Sequence, residues 1–412
     1  MIIRPQSKGI ICLTAHPDGC AKNVEDQIAV ARSRTATSAR GKGRGPKNAL
    51  VIGASTGYGL ASRIMAAFGY GAKTLGVFFE KPADEKRTAT PGWYQSAAFE
   101  RFAQKEGLTA ASLNGDAFSA DMKRRAVALL KESFGPVDLV IYSLASPRRT
   151  HPDTGDVFSS VLKPILRPST SKTVNFQTGA VSDVSIAPAE QSEISQTVAV
   201  MGGEDWGLWI DALDEAKVLS PGAITVAYSY AGPELTESIY RRGTIGRAKD
   251  HLESTAHRLE ERMARTGGRA VVSVNKALVT QASSAIPVMP LYISLLYKIM
   301  KSKGLHEGCI EQMARLFVDH LYADVPPATD DVERIRLDDW EMRPDVQREV
   351  SRAWDRVNGR NVEQVADLQG YREDFFKLFG FGREGVNENA DVNPAVSIPS
   401  LEHKGPLLPP SF

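Results

Sequence analysis

Tyr240 and Lys249 are side chains that can share acid–base chemistry at an oxyanion, since a phenol donates a proton and a nearby cation favours its release. They are nine positions apart, about 900° on one regular helix, which puts them on opposite faces. A working pair therefore requires a break in the helix. Gly243 and Gly246 are placed to provide that break, and we expect Thr244 to cap a new helix that carries Lys249. The spacing alone explains a solvent-facing tyrosine and lysine equally well.

A glycine-rich turn is the second feature with chemical meaning. A short apolar run leads into the sequence Gly-Ala-Ser-Thr-Gly-Tyr-Gly at 53–59, and a helix-like pattern follows. Such glycines let the chain turn tightly and bring backbone N–H groups and a helix amino terminus against a pyrophosphate. A glycine trio alone is weak evidence, but its position between a buried strand and a helix strengthens it. The predicted cofactor contacts of this turn are Gly53, Ser55, Gly57, Tyr58 and Gly59.

An acid ends the next strand-like run at the interval expected for a dinucleotide site. Glu80 follows Gly59 by 21 residues, where a carboxylate accepts hydrogen bonds from the adenosine ribose and repels a 2′-phosphate. We therefore expect NADH rather than NADPH, although Lys81, Lys86 and Arg87 soften that exclusion. The alternative is that Glu80 is a plain surface acid.

Two further strand ends complete the predicted cofactor site. Asp116 and Ala117 follow the third strand-like run, where the carboxylate would meet the adenine edge. Ser143, Leu144 and Ala145 follow the fourth, where small residues let a cofactor pass close to the backbone. Both stretches lie at the carboxyl ends of strands, the edge at which open parallel sheets bind ligands.

The elements that must position these residues alternate between strand-like and helix-like patterns, which is typical of a parallel sheet with crossover helices. The predicted strands are Ala49–Gly53, Thr74–Glu80, Thr109–Asp116, Val137–Ser143, Ala223–Tyr230, Ala270–Val274 and Glu333–Leu337. The predicted helices lie at 60–67, 94–106, 120–133 and 245–265, with a helix-rich segment at 290–322. We expect an α/β fold, a Rossmann-type doubly wound parallel sheet with insertions, of the enlarged single-domain short-chain dehydrogenase/reductase type.

We expect the whole chain to form one enlarged domain. Its predicted segments are a first nucleotide-binding half at 47–146, an insertion at 147–222, a second half at 223–340, and carboxy-terminal helices with a tail at 341–412. The organised part is predicted to start at Ala49, after a basic stretch read as a helix end and exposed loop. The insertion is rich in Pro, Ser and Thr with short polar strand-like pieces, and it either covers the site or is a passive surface excursion.

Composition excludes several classes of protein. Fifty basic and 49 acidic residues leave a formal net charge of +1, so nothing global attracts nucleic acid or an anionic membrane. Three scattered cysteines favour a reducing compartment over a disulfide or metal framework. No secretory signal is recognisable, and the most apolar window, 285–300, is too short and proline-rich to cross a bilayer. We expect a soluble, cytoplasmic protein without a metal site.

The sequence closely resembles the FabV-type trans-2-enoyl reductases, which are monomeric enoyl-acyl-carrier-protein and trans-2-enoyl-CoA reductases with a Tyr-x8-Lys motif. The blocks Ala-Tyr-Ser-Tyr-Ala-Gly-Pro-Glu at 227–234 and Ile-Tyr-Arg-Arg-Gly-Thr-Ile-Gly-Arg-Ala-Lys at 239–249 carry the resemblance most specifically. The likeness extends over nearly the whole chain and includes residues 15–20, 57–63, 90–94, 142–147, 200–206, 275–281 and 306–311.

The resemblance implies an NADH-dependent reduction of the C2=C3 double bond of trans-2-enoyl thioesters of CoA or acyl carrier protein, in fatty acid synthesis. It implies that Tyr240 stabilises the enolate and donates a proton, that Lys249 holds cofactor and charge, and that Tyr230 lies near the thioester carbonyl. It places Leu278, Val279 and Thr280 at the nicotinamide and pyrophosphate. It also implies an acyl pocket bordered by the helix at 290–302, with apolar lining from Leu291, Ile293, Leu295, Leu296 and Ile299.

Two other functions stay open at this point. A carbonyl-reducing short-chain dehydrogenase would use the same cofactor site on a 3-oxoacyl substrate. A regulator that binds NADH without chemistry would require Tyr240 or Lys249 to be missing or misplaced, and both are present. The common hydrolase motifs Gly-x-Ser-x-Gly and His-Glu-x-x-His do not occur in the sequence.

Overall fold

A seven-stranded parallel sheet lies at the centre of the computed structural model, which describes residues 1–8, 11–37 and 44–402. The described strands are β1 (Ser7–Lys8), β2 (Ile11–Cys12), β3 (Asn48–Ile52), β4 (Lys73–Phe78), β5 (Ala110–Asn114), β6 (Val137–Tyr142), β7 (Arg148–Thr150), β8 (Val157–Ser159), β9 (Ser169–Asn175), β10 (Ala180–Ile186), β11 (Leu219–Ser229), β12 (Arg269–Val274) and β13 (Ile335–Arg336). The sheet order is β13-β12-β11-β6-β3-β4-β5, and all neighbouring strands are parallel. The remaining strands form the antiparallel hairpins β1–β2, β7–β8 and β9–β10. The predicted doubly wound parallel sheet is therefore confirmed.

Helices connect the strands and cover both faces of the sheet. They are α1 (Pro17–Thr37), α2 (Gly57–Ile64), α3 (Pro91–Lys105), α4 (Ala120–Leu129), α5 (Gln191–Met201), α6 (Glu204–Glu215), α7 (Glu234–Glu237), α8 (Thr244–Met263), α9 (Gln281–Ser284), α10 (Met289–Ser302), α11 (Cys309–Arg315), α12 (Pro344–Arg356), α13 (Val362–Val365), α14 (Leu368–Lys377) and α15 (Pro399–Glu402). Short π-helical turns extend α2, α4 and α11, at Met65–Gly69, Leu130–Phe134 and Leu316–Leu321. Within the described ranges, no helix is long and apolar enough to cross a membrane.

Alternation along the strands explains the two layers of helices. In β3, Leu50 and Ile52 pack with side chains of α4, α6 and α8, whereas Ala49 and Val51 pack with side chains of α1, α2, α3 and α11. Successive side chains of a strand point to opposite faces, so a sheet buried on both sides reads as a continuous apolar run. The short run at 49–52 was recognisable as a central strand for this reason.

The direction of the chain through the sheet changes between β3 and β6. From β3 the chain moves outward to β4 and β5, then returns to β6 on the other side of β3 and continues to β11, β12 and β13. Connections leaving the carboxyl ends of β3 and β6 therefore diverge. In open α/β sheets the crevice at such a point is where ligands bind.

The amino-terminal part of the chain departs from the prediction that organised structure begins at Ala49. Helix α1 spans Pro17–Thr37, and its buried Val24, Ile28 and Ala31 belong to the same core as α3 and α11. The described part of the basic stretch is helical as far as Thr37, the last described residue of α1. Residues 38–43 of that stretch lie outside the described residues.

The segment 147–222 also contains more regular structure than its composition indicates. The polar strand-like pieces are the hairpins β7–β8 and β9–β10, but helices α5 and α6 were not predicted. Trp206 and Trp209 of α6 are fully buried against the sheet, and the Trp206 indole N–H donates to the Thr225 hydroxyl at 2.8 Å. Helix α6 is therefore the crossover helix between β6 and β11, while the hairpins β7–β8 and β9–β10 are the inserted part of this segment.

A buried ion pair ties the sheet edge to the end of the described chain. Arg63 and Glu100 are almost fully buried, 4.0 Å apart, and the Arg63 guanidinium lies 4.3 Å from the centre of the Phe99 ring. The Glu100 carboxylate accepts hydrogen bonds from the Ser112 hydroxyl at 2.6 Å and from the Ser400 backbone N–H at 2.8 Å. Burial lowers the pKa of Arg63 to about 10, which makes the partner carboxylate important for keeping this charge inside.

We expect Glu100→Gln to lower the free energy of unfolding by about 3 kcal/mol, because it leaves the Arg63 charge buried without a counterion. Urea unfolding followed by circular dichroism measures this loss. The exposed Glu132→Gln serves as the control and should stay within about 0.5 kcal/mol of the wild type. Equal stability of the two variants would show that the pair contributes nothing.

Candidate active site

A large cleft opens at the carboxyl ends of β3, β4, β5 and β6, where the chain direction changes. Its volume is about 1420 Å³. It is bounded on one side by the glycine turn after β3 and on the other by the loop after β12 and by the β7–β8 hairpin. Thirteen predicted cofactor residues line it: Gly53, Ser55, Gly57, Tyr58, Glu80, Asp116, Ala117, Ser143, Leu144, Ala145, Leu278, Val279 and Thr280. The cleft thus collects residues from five separate stretches of the chain.

The glycine turn has the geometry that its sequence indicates. Gly53 has φ +86° and Gly57 has φ +54°, conformations that side chains with a Cβ rarely adopt. Gly59 does not line the cleft, and a Cβ there would lie 1.9 Å from the Gly53 carbonyl oxygen. Gly59 therefore allows α2 to pack against the turn, with its amino terminus facing the cleft.

Glu80 lies two residues beyond β4, in the wall of the cleft. Its carboxylate accepts a hydrogen bond from the Ser55 hydroxyl at 2.7 Å. Burial raises the pKa of Glu80, and the Ser55 hydrogen bond opposes that rise. The pairing joins the glycine turn to the predicted ribose contact, so Glu80 is part of a built site rather than a plain surface acid.

Asp116 and Ala117 follow β5, and they differ in which of their polar groups remain available for a ligand. The Asp116 side chain is exposed and accepts a hydrogen bond from the Phe118 N–H at 2.9 Å. The Ala117 carbonyl already accepts from Lys123 and Trp209, so this residue offers its methyl group and not its carbonyl. The arrangement leaves the Asp116 carboxylate as the polar group available at this strand end.

The stretch after β6 begins at Ser143 and lies close to the end of β3, which explains why it has small residues. The Ser143 N–H donates to the Ile52 carbonyl at 2.8 Å, which keeps the chain beside the end of β3. A Cβ on Gly53 would lie 2.0 Å from the Ser143 carbonyl oxygen. The two strand ends are therefore as close as backbones permit, and the cleft begins directly above them.

The loop after β12 is more strongly hydrogen-bonded than the sequence indicates. The Thr280 hydroxyl caps α9 by accepting from the Ser283 N–H at 3.1 Å, and the Val279 N–H donates to the Tyr297 hydroxyl at 3.2 Å. The Tyr58 hydroxyl donates to the carbonyl of Lys276 at 2.9 Å. These contacts hold the loop in place but leave fewer free backbone groups for a ligand.

The predicted break between Tyr240 and Lys249 is present. Helix α8 begins at Thr244 with Gly243 as the preceding cap residue, and Tyr240 lies in the turn before it. The Tyr240 carbonyl accepts from the N–H groups of both Gly243 and Gly246, at 3.0 and 2.9 Å. The side chains of Tyr240 and Lys249 are thereby carried by separate segments.

Two details of this break differ from the prediction. Thr244 does not cap α8, because its hydroxyl donates to the Val161 carbonyl at 2.5 Å and is held by the loop of the insertion. Gly246 lies inside the helix, where a Cβ would be 2.0 Å from the Arg241 carbonyl oxygen. Gly246 allows the preceding turn to lie close to the helix, and Gly243 alone lies at the break.

Tyr240 is buried with a free hydroxyl. Its ring packs edge-on against Tyr230, with centroids 5.0 Å apart and an interplanar angle of 84°. No described residue makes a hydrogen bond to the Tyr240 hydroxyl, so that group is available to a ligand. Burial, and then the negative charge of Glu341, raise the pKa of Tyr240. The phenol therefore stays protonated at neutral pH, contrary to the expectation that a lysine favours its tyrosinate form.

Lys249 is half-buried and makes one hydrogen bond, from its ammonium to the Tyr228 carbonyl at 3.1 Å. Burial lowers the pKa of Lys249 to about 8, although Glu253 opposes the change. Among the described residues there is no hydrogen bond between Lys249 and Tyr240. Tyr230, Tyr240 and Lys249 do not themselves line the cleft, but Tyr240 packs in one core with Leu278 and Val279, which do.

The five predicted acyl-pocket residues of α10 are buried in the core that also contains Tyr240. None of Leu291, Ile293, Leu295, Leu296 and Ile299 lines the cleft. From α10, it is Tyr297 that reaches the cleft. These leucines and isoleucines are therefore core residues in the described structure, and the pocket lining that the resemblance implies for them is not seen in this cleft.

Several polar residues of the cleft wall were missed. Asn23 of α1 donates to Gln95 of α3 at 3.3 Å, and Gln95 donates to the Leu378 carbonyl at 3.2 Å. Arg383 and Lys377 line the same region. Asn23, Gln95 and Lys377 come from helices that look like ordinary amphipathic surface helices, and Arg383 comes from the loop after α14. The sequence therefore carries no signal that would single them out.

A doubly wound parallel sheet with a Gly-x3-Gly-x-Gly turn, an acid after the second strand and a Tyr-x8-Lys pair defines an oxidoreductase of the short-chain dehydrogenase/reductase class. Comparisons with known proteins narrow the class. Three family models match the chain, described as the NAD(P)H binding domain of trans-2-enoyl-CoA reductase at 2–85, the trans-2-enoyl-CoA reductase catalytic region at 87–322, and an enoyl reductase FAD binding domain at 329–392. The chain belongs to the trans-2-enoyl-CoA reductase family, as the sequence predicted.

Individual relatives agree with this assignment. A protein of Flavobacterium psychrophilum named enoyl-acyl-carrier-protein reductase (NADH) is 59% identical over 401 residues, which are 97% of this chain and 100% of that protein. The crystal structure of Treponema denticola trans-2-enoyl-CoA reductase in complex with NAD is 51% identical with a TM-score of 0.92, covering 95% of this chain and 98% of that one. That of Clostridium acetobutulicum trans-2-enoyl-CoA reductase in complex with NADH is 42% identical with a TM-score of 0.92, covering 96% and 98%.

The residues present at 329–392 do not fit a flavin dinucleotide. Val346, Val350 and Trp354 of α12 and Tyr371 and Phe375 of α14 are buried in the core with α10. The one strand of this region, β13, has two residues and is not followed by a glycine turn and helix in the described chain. Its residues 374–383 line the cleft that the glycine turn already occupies, and its residues 329–334 line only a small cavity of about 160 Å³.

We expect Gly246→Ala to lower kcat about 100-fold, because the new Cβ overlaps the Arg241 carbonyl and displaces the turn that carries Tyr240. Steady-state kinetics with NADH and crotonyl-CoA measures the effect. Gly207→Ala is the matched control, since Gly207 is also helical but a Cβ there meets nothing within 4 Å. Unchanged kcat in Gly246→Ala would remove the steric argument.

Lys249 is predicted to hold the cofactor through its charge, which it loses above its lowered pKa of about 8. We therefore expect kcat/KM for NADH to fall as the pH rises through about 8. An arginine at position 249 stays charged at all accessible pH values, so the Lys249→Arg variant should not show this fall in kcat/KM at alkaline pH, which is the alkaline limb of the pH profile. Buried Lys276 also has a pKa lowered to about 8. A limb that persists in Lys249→Arg would assign the titration to Lys276 instead.

Proposed function

We propose that Tyr240 and Lys249 carry out, in this chain, the NADH-dependent reduction of a 2-enoyl thioester that defines its family. The predicted activity and cofactor agree with the names of the relatives, of which some are enoyl-acyl-carrier-protein reductases (NADH) and others are trans-2-enoyl-CoA reductases with NAD or NADH. The observation that carries the residue assignment is the free hydroxyl of a buried, protonated tyrosine beside the loops that line the cofactor cleft.

Bound NADH supplies a hydride to the β-carbon of the enoyl thioester, and the electron pair of the double bond moves toward the thioester oxygen. Tyr240 donates a hydrogen bond to that oxygen as its charge develops, and a proton supplied ultimately by solvent then reaches the α-carbon. One oriented donor of this kind contributes about 3 kcal/mol, or about 10² to 10³ in rate. The raised pKa of Tyr240 suits this role, because only the protonated phenol can donate.

Lys249 supports the same step from the cofactor side. Its ammonium uses one of three N–H groups on the Tyr228 carbonyl, which leaves two for ribose hydroxyls and for the developing negative charge. Glu80 acts at the other end of the cofactor, where its carboxylate accepts from ribose hydroxyls and disfavours a 2′-phosphate. Ser55 fixes the orientation of that carboxylate. The expected preference for NADH over NADPH rests on this pair.

The thioester substrate is carried by CoA or by acyl carrier protein, and both kinds of relative are represented. We propose that the protein is a cytoplasmic monomer. A monomer is supported by the sheet edges, because β5 is covered by Ser400 of α15, which accepts from the Ser112 N–H at 2.9 Å, and β13 is only two residues long. A cytoplasmic location is supported by free thiols at Cys12, Cys20 and Cys309.

We expect Tyr240→Phe to lower kcat with crotonyl-CoA about 10² to 10³-fold while leaving the Kd for NADH within about threefold, since only the oxyanion donor is removed. Kinetics and fluorescence titration with NADH measure the two quantities. In the same assays the wild type should prefer NADH to NADPH and crotonyl-CoA to a 3-oxoacyl-CoA. Wild-type kcat in Tyr240→Phe would refute the assignment of Tyr240, and a preference for the 3-oxoacyl substrate would favour the carbonyl-reductase alternative.

A further inference from the structure

The buried carboxylate of Glu341 lies where three neighbouring parallel strands end. Tyr230 directly follows β11, Ala277 follows β12, and Glu341 follows β13. The loop between β13 and Glu341 stays close to β12, because the Leu337 N–H donates to the Val274 carbonyl at 2.9 Å. Strand order and register therefore place Glu341 beside the second tyrosine of the site.

Glu341 connects three parts of the active site through one side chain. It is 0% exposed. One carboxylate oxygen accepts from the hydroxyls of Tyr230, at 3.2 Å, and Tyr292, at 2.7 Å. The other accepts from the backbone N–H of Ala277 at 2.7 Å. These partners belong to the end of β11, to α10, and to the loop that continues into Leu278–Thr280.

The charges around Glu341 oppose one another. Burial raises its pKa, while Lys276 and the hydrogen bonds from Tyr292 and Ala277 lower it, and Asp338 on its own loop raises it again. Replacing buried ionic groups by well-packed apolar side chains is often neutral for stability, so stability does not by itself account for a carboxylate here. The carboxylate orients its three partners, because each of them must point its N–H or O–H toward it.

We propose that Glu341 is a positioning residue for the reduction, which fixes the hydroxyl of Tyr230 so that the Tyr230 ring holds Tyr240 against the substrate oxygen, and which fixes the cofactor loop through Ala277. The hydroxyl of Tyr230 has one proton, and it is donated to Glu341. Tyr230 is then not a second donor to the thioester, and Tyr240 is the donor that remains. This inference rests on the proposed function of Tyr240.

The test is a double-mutant cycle of Glu341→Gln and Tyr230→Phe with NADH and crotonyl-CoA. Glu341→Gln places an amide N–H₂ where a carboxylate oxygen accepted, so we expect kcat to fall about 10- to 100-fold with the Kd for NADH within about threefold. Tyr230→Phe removes the same hydrogen bond from its other end. Both changes remove the hydrogen bond between Tyr230 and Glu341, while Glu341→Gln keeps an amide oxygen that can accept from the Ala277 N–H. The double mutant should therefore be no more than about threefold slower than the slower single mutant.

Glu100→Gln is the matched control, since it alters another buried, hydrogen-bonded glutamate at the far edge of the sheet. It should lower stability without changing kcat more than about twofold. A Glu341→Gln variant with a kcat like that of Glu100→Gln, or single-mutant losses that multiply in the double mutant, would overturn the inference. If Glu341→Gln does not fold, Glu341→Asp keeps the charge but withdraws the carboxylate, and the same fall in kcat at unchanged Kd supports the inference while unchanged kcat overturns it.

Failure of the inference and failure of the proposed function give different results. A wild type that does not oxidise NADH with crotonyl-CoA removes the proposed function, and the role of Glu341 with it. An active wild type, a crippled Tyr240→Phe and a Glu341→Gln variant of unchanged kcat remove the role of Glu341 alone.

Discussion

A tyrosine and a lysine nine residues apart cannot act together from one straight helix, and much of the structure serves to divide the segment that carries them. The division occurs at Gly243, where a Cβ would lie 2.4 Å from the Ile239 carbonyl oxygen. The loop of the insertion holds the divided segment in place, since the Thr244 N–H donates to the Lys163 carbonyl at 3.0 Å. The loop of the insertion that contains Lys163 has no catalytic candidate of its own, yet it helps to fix the position of Tyr240.

The parallel sheet imposes the second constraint, because all its carboxyl ends meet at one edge. Gly53, Glu80 and Ser143 follow three different strands, yet they line one cleft. The same rule applies farther along the sheet, where Tyr230 and Glu341 follow β11 and β13 and meet through a hydrogen bond. The cofactor cleft and the supporting network behind the tyrosines are therefore two consequences of one topology.

Features with a local cause were predictable from the sequence. The strand at 48–52, the glycine turn and the break before Lys249 each follow from a short pattern and a steric rule. Contacts between distant segments were not predictable: Glu341 looks like an ordinary acid between a short strand and an amphipathic helix, and Asn23 looks like a solvated residue of α1. Helix α6 was missed because the Pro- and Ser-rich hairpins before it hid the return to helical periodicity, although Trp206 and Trp209 are spaced to share one helix face.

Burial acts on the two catalytic candidates in opposite directions, and this accounts for the division of roles between them. Removing water disfavours any charged form, so it raises the pKa of Tyr240 and lowers that of Lys249 to about 8. The negative charge of Glu341 adds to the effect on Tyr240. A phenol in this setting is a poor base but a firm hydrogen-bond donor, and a lysine that is still mostly charged at neutral pH complements it without having to make a tyrosinate. The two pKa shifts therefore agree with the proposed roles, in which the pair meets negative charge that forms on a substrate oxygen during the reduction of an enoyl thioester.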